Sequence, residues 1–131
     1  MKFTVLGPVG YVRMNRRSVW TARAQRYISF KKAVQAEARK AGLRLPLVAT
    51  KDRPVLVATR CSYPNAKAIP DCSNVQKAAE DALCYGAKGG DKYVAGFYAP
   101  SIFGVKQAIV EILVIPWGLE EEAVFQDFML D

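Results

Sequence analysis

Pro54-Val55-Leu56-Val57-Ala58-Thr59-Arg60-Cys61-Ser62-Tyr63 is the stretch on which the fold turns. Its β-branched and apolar residues, bounded by a proline and a following Pro64, read as a strand. On its N-terminal side the residues Tyr27, Phe30, Val34, Ala38 and Ala41 recur at helical spacing. They predict a helix from about 22 to 41, capped by Thr21 and stopped by Gly42. Lys32, Arg39 and Lys40 fall away from that stripe, toward solvent or a ligand. On the C-terminal side a second helix is expected from Asn74 to about Cys84, ending at Gly86.

Further out, residues 2–6 and 9–12 read as extended, and residues 93–98 and 105–115 as two more strands, separated by Pro100-Ser101-Ile102-Phe103-Gly104. The tail 119–130 suggests a short helix that packs Val124, Phe125, Phe128 and Met129 on the domain. A helix on either side of a central strand, in the order β-α-β-α-β-β plus a short C-terminal helix, implies an α/β (α+β) fold. That is one domain over 1–131 with a mixed β-sheet flanked by two main helices. Residues 118–131 form an acidic and apolar extension.

The composition narrows the chemistry. The chain has 131 residues, 51% apolar and 24% charged, enough to bury a core in one domain. No apolar run reaches the ~18 residues of a membrane span, and the N-terminus lacks the long apolar stretch of a secretory signal. A soluble, intracellular protein with no membrane partner is the expectation. There is no histidine, which excludes Ser-His-Asp and Cys-His nucleophilic catalysis, His-ligated zinc and imidazole acid–base chemistry. Cys61, Cys72 and Cys84 are odd in number and lack CxxC spacing, so a disulfide framework or zinc knuckle is not expected. Catalysis, if present, runs on carboxylates, lysine, tyrosine, thiol or a hard metal ion.

The net charge of +7 conceals an asymmetry. Residues 1–60 carry 14 Lys and Arg against Glu37 and Asp52, hence +12, whereas residues 61–131 carry five Lys against 10 acids, hence −5. A basic half in a small domain is the footprint of a phosphate-backbone binder. The basic residues concentrate in Arg13, Arg16 and Arg17 with Asn15 among them, then in Arg23 and Arg26, with Tyr11, Trp20 and Tyr27 interspersed. Arginine makes forked phosphate contacts and aromatics stack on exposed bases. Tyr27 fits a core stripe; Trp20 lies outside it and is a stacking candidate or a core residue. The alternative is a cationic surface with no partner.

The segment Pro70-Asp71-Cys72-Ser73-Asn74-Val75-Gln76-Lys77-Ala78-Ala79-Glu80-Asp81-Ala82-Leu83 carries the chemistry. Asn74, Lys77 and Asp81, spaced three and four apart, share a helix face. Asp91 follows in Gly89-Gly90-Asp91-Lys92-Tyr93-Val94, at the mouth of the next strand. Carboxylates at element ends are how a small fold assembles a Mg²⁺ site, from one or two carboxylates, waters and substrate phosphate. Against this, Asp71 is also a natural helix cap, Asp91 an ordinary turn residue and Lys77 a solvated lysine.

The segment resembles the RusA-type Holliday junction resolvases, whose pattern runs roughly D-x-D-N-x-x-K-x-x-x-D-A-L with a further Asp before a strand. Asp71, Asn74, Lys77, Asp81, Ala82, Leu83 and Asp91 match it. Gly7-Pro8-Val9, the following basic residues and Tyr27 resemble the family's opening, and the resemblance covers about residues 3–115. It implies an Mg²⁺-dependent endodeoxyribonuclease, with Mn²⁺ as the alternative ion. The enzyme would act as a homodimer on branched DNA, a four-way junction nicked on symmetric strands, in a bacterial or phage-encoded cytoplasmic setting. Asp71 and Asp91 would be the metal-binding catalytic carboxylates, Lys77 a group at the scissile phosphate, and Asp81 a support through an i,i+4 pair with Lys77. The N-terminal arginines would form the junction-binding surface.

One position departs. Ser73 stands where the family has its second carboxylate, and a neutral hydroxyl is a weaker Mg²⁺ ligand. Ser73-Asn74-Val75-Gln76 fits a capping box that opens a helix. Either the site works with two carboxylates and extra waters, or this copy is a catalytically weak DNA-binding protein. A small basic RNA-binding protein with an accidental acidic motif is the more distant reading.

Overall fold

The computed structural model describes residues 1–118 and 122–130. Its centre is the expected strand, Val55–Tyr63, buried on both faces from Leu56 onward. In chain order the elements are β1 (Lys2–Leu6), a short 3-10 turn (Ser18–Trp20), α1 (Ala22–Lys40), β2 (Val55–Tyr63) and α2 (Cys72–Cys84). They are followed by β3 (Val94–Tyr98), β4 (Ile102–Phe103), β5 (Ile109–Pro116) and α3 (Glu122–Leu130). The strands form one mixed sheet, ordered β1-β5-β2-β3, with β4 also on β2. β5 lies between β1 and β2, antiparallel to both, whereas β3 runs parallel to β2 in the register Val55↔Val94 to Thr59↔Tyr98. Parallel neighbours require a crossover connection, and α2 supplies it.

Alternation along β2 sorts the core. Val57, Cys61 and Tyr63 face the helices, where Tyr27, Phe30, Val34 and Ala38 of α1 and Val75, Ala78, Ala79, Ala82 and Leu83 of α2 bury with them. Both main helices therefore cover one face of the sheet. Leu56 and Ala58 face the other side with Leu113 and Ile115, closed by Phe125, Phe128 and Met129 of α3. Phe128 is buried, which contributes about 2–3 kcal/mol by transfer from water, whereas Val124 and Leu130 remain exposed. Arg60 is buried on this face beneath α3, donating to the Phe128 carbonyl at 2.9 Å and pairing with Glu111 at 2.9 Å. The part of the expected tail helix at 119–121 lies outside the described residues.

Three local expectations are corrected. Residues 9–12 form no strand; the segment instead docks on α2, with the Tyr11 N–H donating to the Asn74 carbonyl at 3.0 Å. A Cβ at Gly10 would meet the Cβ of Asn74 at 3.3 Å, so the segment approaches this closely because residue 10 is glycine. The strand expected over 105–115 begins at Ile109, and Ile102–Phe103, read as a spacer, extends the sheet as β4. α2 begins at Cys72 with Asp71 as its N-cap, so Ser73 lies inside the helix. The capping box fails because Gln76 turns inward: it accepts from Thr59 Oγ1 at 2.6 Å and donates to the Val57 carbonyl at 2.8 Å. α1 is capped as expected, the Ala24 N–H donating to Thr21 Oγ1.

Candidate functional site

Asp71 stands at the N-terminus of α2, at the end of the sheet where β2 finishes. Its carboxylate accepts from Ser73 Oγ at 2.6 Å and from the Ser73 N–H at 2.9 Å. The hydroxyl first, then the backbone amide, hold this exposed carboxyl below the usual carboxylate range. The helix-cap reading of Asp71 is thus correct. It leaves the carboxylate ionised at the mouth of a cleft, and Ser73 serves by fixing that carboxylate.

The cleft measures about 380 Å³ and is lined by Pro8 to Val12, Arg23 and Arg26 of α1, Ala68 to Asp71, and Asn74. Ala68 holds a left-handed φ of 52°, a conformation that costs a non-glycine residue and that neighbouring structure must sustain. Arg23 and Arg26 are one helical turn apart, and both are exposed. The cleft therefore unites two expected DNA-binding arginines with the first expected catalytic carboxylate. Lys77, one turn beyond Asn74, lies with its Nζ 4.2 Å from the centroid of the Tyr11 ring.

Arg13, Asn15, Arg16 and Arg17 lie on the exposed segment leading to the 3-10 turn. Asn15 organises it: its side-chain oxygen accepts from the N–H groups of Arg17 and Ser18. Tyr11, Val12 and Met14 anchor the segment by packing against the core. Trp20, 81% exposed, has no core role and remains free to stack.

Asp81 is not paired with Lys77. It accepts from the Tyr27 hydroxyl at 2.5 Å and pairs with Lys31 at 2.9 Å. Burial, the hydrogen bond and the Asp81 charge together push the Tyr27 phenol far above its ordinary value. Lys31 in turn lies over the rings of Tyr27 and Tyr85. Asp81 therefore ties α2 to α1.

Asp91 lies at the other end of α2, in the turn before β3, where its carbonyl accepts from the Val94 N–H. Its charge acts on Glu80. Burial chiefly, then the charge of Asp91, raise the Glu80 carboxyl, and the same two acids add to the burial that pushes Cys84 up to about 11. Glu80 lies against β3 at Gly96, where a Cβ would come within 2.8 Å of its Oε1. No local spacing marks Glu80 in the sequence; its place beside β3 follows from the parallel β2–α2–β3 connection.

This topology separates the two expected metal carboxylates within the chain. The 13 residues of α2, roughly 20 Å of rise, lie between Asp71 at its start and the turn that holds Asp91. Oxygen ligands sit about 2.1 Å from a magnesium ion, so Asp71 and Asp91 of one chain do not reach the same ion. Among the described residues no three His, Cys, Asp or Glu side chains gather into a metal-holding group. Asp71 and Asn74 both line the cleft, and a carboxylate with an amide oxygen is the kind of hard-oxygen donor set that Mg²⁺ takes alongside substrate phosphate and waters.

Among the described residues no helix is long and apolar enough to cross a membrane. No protein-family model matches the chain, and no curated protein matches it.

Proposed function

We propose that this chain is a Mg²⁺-dependent, structure-selective DNA endonuclease that acts as a homodimer on four-way junctions. The observation that carries the reading is the cleft where Arg23 and Arg26 of α1 meet Asp71 and Asn74 of α2. The two guanidinium groups hold the strand by its phosphates, aided by Arg13, Arg16 and Arg17 on the adjoining segment. Asp71, kept ionised by Ser73, and Asn74 are the oxygen ligands of the chain for the ion. When bound, Mg²⁺ polarises the phosphodiester and lowers the pKa of a coordinated water. Lys77, beside the cleft, offsets charge at the phosphoryl oxygens as the bond to the leaving oxygen breaks.

The separation of Asp71 from Asp91 supports the dimer. A two-fold pair of protomers presents the α2 N-terminus of one to the β3 mouth of the other, so that Asp91 of the partner subunit supplies the second carboxylate. Isologous interfaces create such sites in twos, which suits paired nicks on symmetric strands.

A second reading has its own observation. Ser73 Oγ donates to Asp71 and brings no charge, which favours a protein that holds branched DNA without cutting it. A labelled four-way junction and a matched linear duplex, each with and without Mg²⁺, distinguish the two readings. The nuclease reading expects paired, metal-dependent nicks in the junction alone, lost in Asp71→Asn. Tight junction binding with no nicks establishes the binding protein. Equal affinity for junction and duplex refutes both.

A further inference from the structure

We propose that Tyr11 is a positioning residue that holds the Lys77 ammonium at the rim of the cleft; the proposal rests on the nuclease reading above. Lys77 is an exposed lysine on a helix, and an unrestrained lysine of this kind spreads its charge over many rotamers. Here Nζ stands 4.2 Å from the Tyr11 centroid, within the range at which a ring quadrupole attracts a cation. Tyr11 is itself fixed at two points. Its N–H donates to the Asn74 carbonyl at 3.0 Å, one helical turn before Lys77. Its ring meets Tyr27 edge-on, with centroids 5.6 Å apart. Tyr27 is locked by its hydroxyl on Asp81, and Asp81 by Lys31.

Asp81 thereby acts at a distance. It does not ion-pair with Lys77; through Tyr27 and Tyr11 it sets the surface on which Lys77 rests. Tyr11 also lines the cleft beside Arg23, Arg26 and Asp71, so the ammonium is kept next to the phosphate-binding groups.

The first test needs no catalysis. Proton NMR of the parent chain should place the Lys77 ε-methylene signal upfield of the exposed lysines, through the ring current of Tyr11. The shift should persist in Tyr11→Phe and vanish in Tyr11→Leu. A parent signal that coincides with the exposed lysines overturns the proposal. In junction cleavage, Tyr11→Leu should lower kcat about two- to fivefold with KM unchanged, and Tyr11→Phe should restore it. In a Lys77→Ala background, Tyr11→Leu should cost nothing further. Additive losses would show that Tyr11 acts by itself and contradict the proposal. If the parent chain cuts no junction, the nuclease reading fails, and the lysine signal alone decides whether Tyr11 holds Lys77.

Discussion

Replacing Arg23 and Arg26 together by alanine tests the cleft as a phosphate site. Both arginines line it, and both lie on the exposed face of α1 away from its buried stripe, so the fold should be unaffected. Each phosphate neutralised by a cationic side chain contributes about 0.9 to the slope of log K against log salt concentration. Two contacts make about 1.8 of slope. Over a fourfold rise in salt, from roughly 50 to 200 mM, the parent should therefore lose about 12-fold more affinity than the variant. Fluorescence anisotropy of a labelled junction across a salt series measures this directly. Arg39→Ala is the control, because Arg39 sits in the last turn of α1 and does not line the cleft. A parent slope retained in the double variant, or an equal drop in the Arg39→Ala control, would refute the assignment of the cleft to DNA phosphates.

Tyr27→Phe removes a phenol that donates to a carboxylate 39% exposed. After discounting for that exposure the loss should be about 1 kcal/mol, near 3–5 °C of melting temperature at this size. Because the folded state raises the Tyr27 pKa, its contribution is complete below the ordinary phenol value of 10.0 and fades as pH rises beyond it. The gap between parent and variant should narrow in that alkaline range; a constant gap contradicts the bond. Ser73→Ala should let the Asp71 carboxyl titrate closer to its ordinary 3.8, read by carboxyl ¹³C shifts, and an unmoved titration would sink the role given to Ser73. Glu80→Gln should stabilise the chain at neutral pH, since folding raises the Glu80 pKa and so disfavours its charged form. That gain should disappear below the ordinary 4.5; a variant less stable at pH 7 than the parent would overturn it.

What could be read from the chain was what local spacing controls. The Tyr27-Phe30-Val34-Ala38 stripe and the Thr21 cap need only a few consecutive residues to be recognised, and both are found in α1. The β-branched run of β2 carried the centre of the sheet for the same reason. The start of α2 was misjudged because Asp71 and Ser73 are both good caps, and the choice depends on Gln76. That side chain turns inward to Thr59, a partner on another element. β4 was missed because two residues have no period. At the site, Asp71, Arg23 and Arg26 were all legible, but their union in one cleft depends on how α1 packs against α2. The supposed Lys77–Asp81 pair failed because helical adjacency lost to long-range partners, Tyr27 and Lys31 for the acid and Tyr11 for the lysine. Asp71 and Asp91, near one another in the motif, fall at opposite ends of α2 because a parallel β2–α2–β3 unit must carry its helix back along the strands.

The central claim, an active site whose two carboxylates come from two protomers, is tested most directly by complementation. Asp71→Asn and Asp91→Asn should each abolish junction cleavage while junction binding persists; asparagine caps a helix as well as aspartate does, so α2 should keep its start. Mixed in equal amounts and allowed to exchange subunits, the two inactive variants should regain cleavage. Half of the dimers would then hold one intact site, restoring about a quarter of the sites and giving single rather than paired nicks. A mixture as inactive as either variant alone would contradict the shared site.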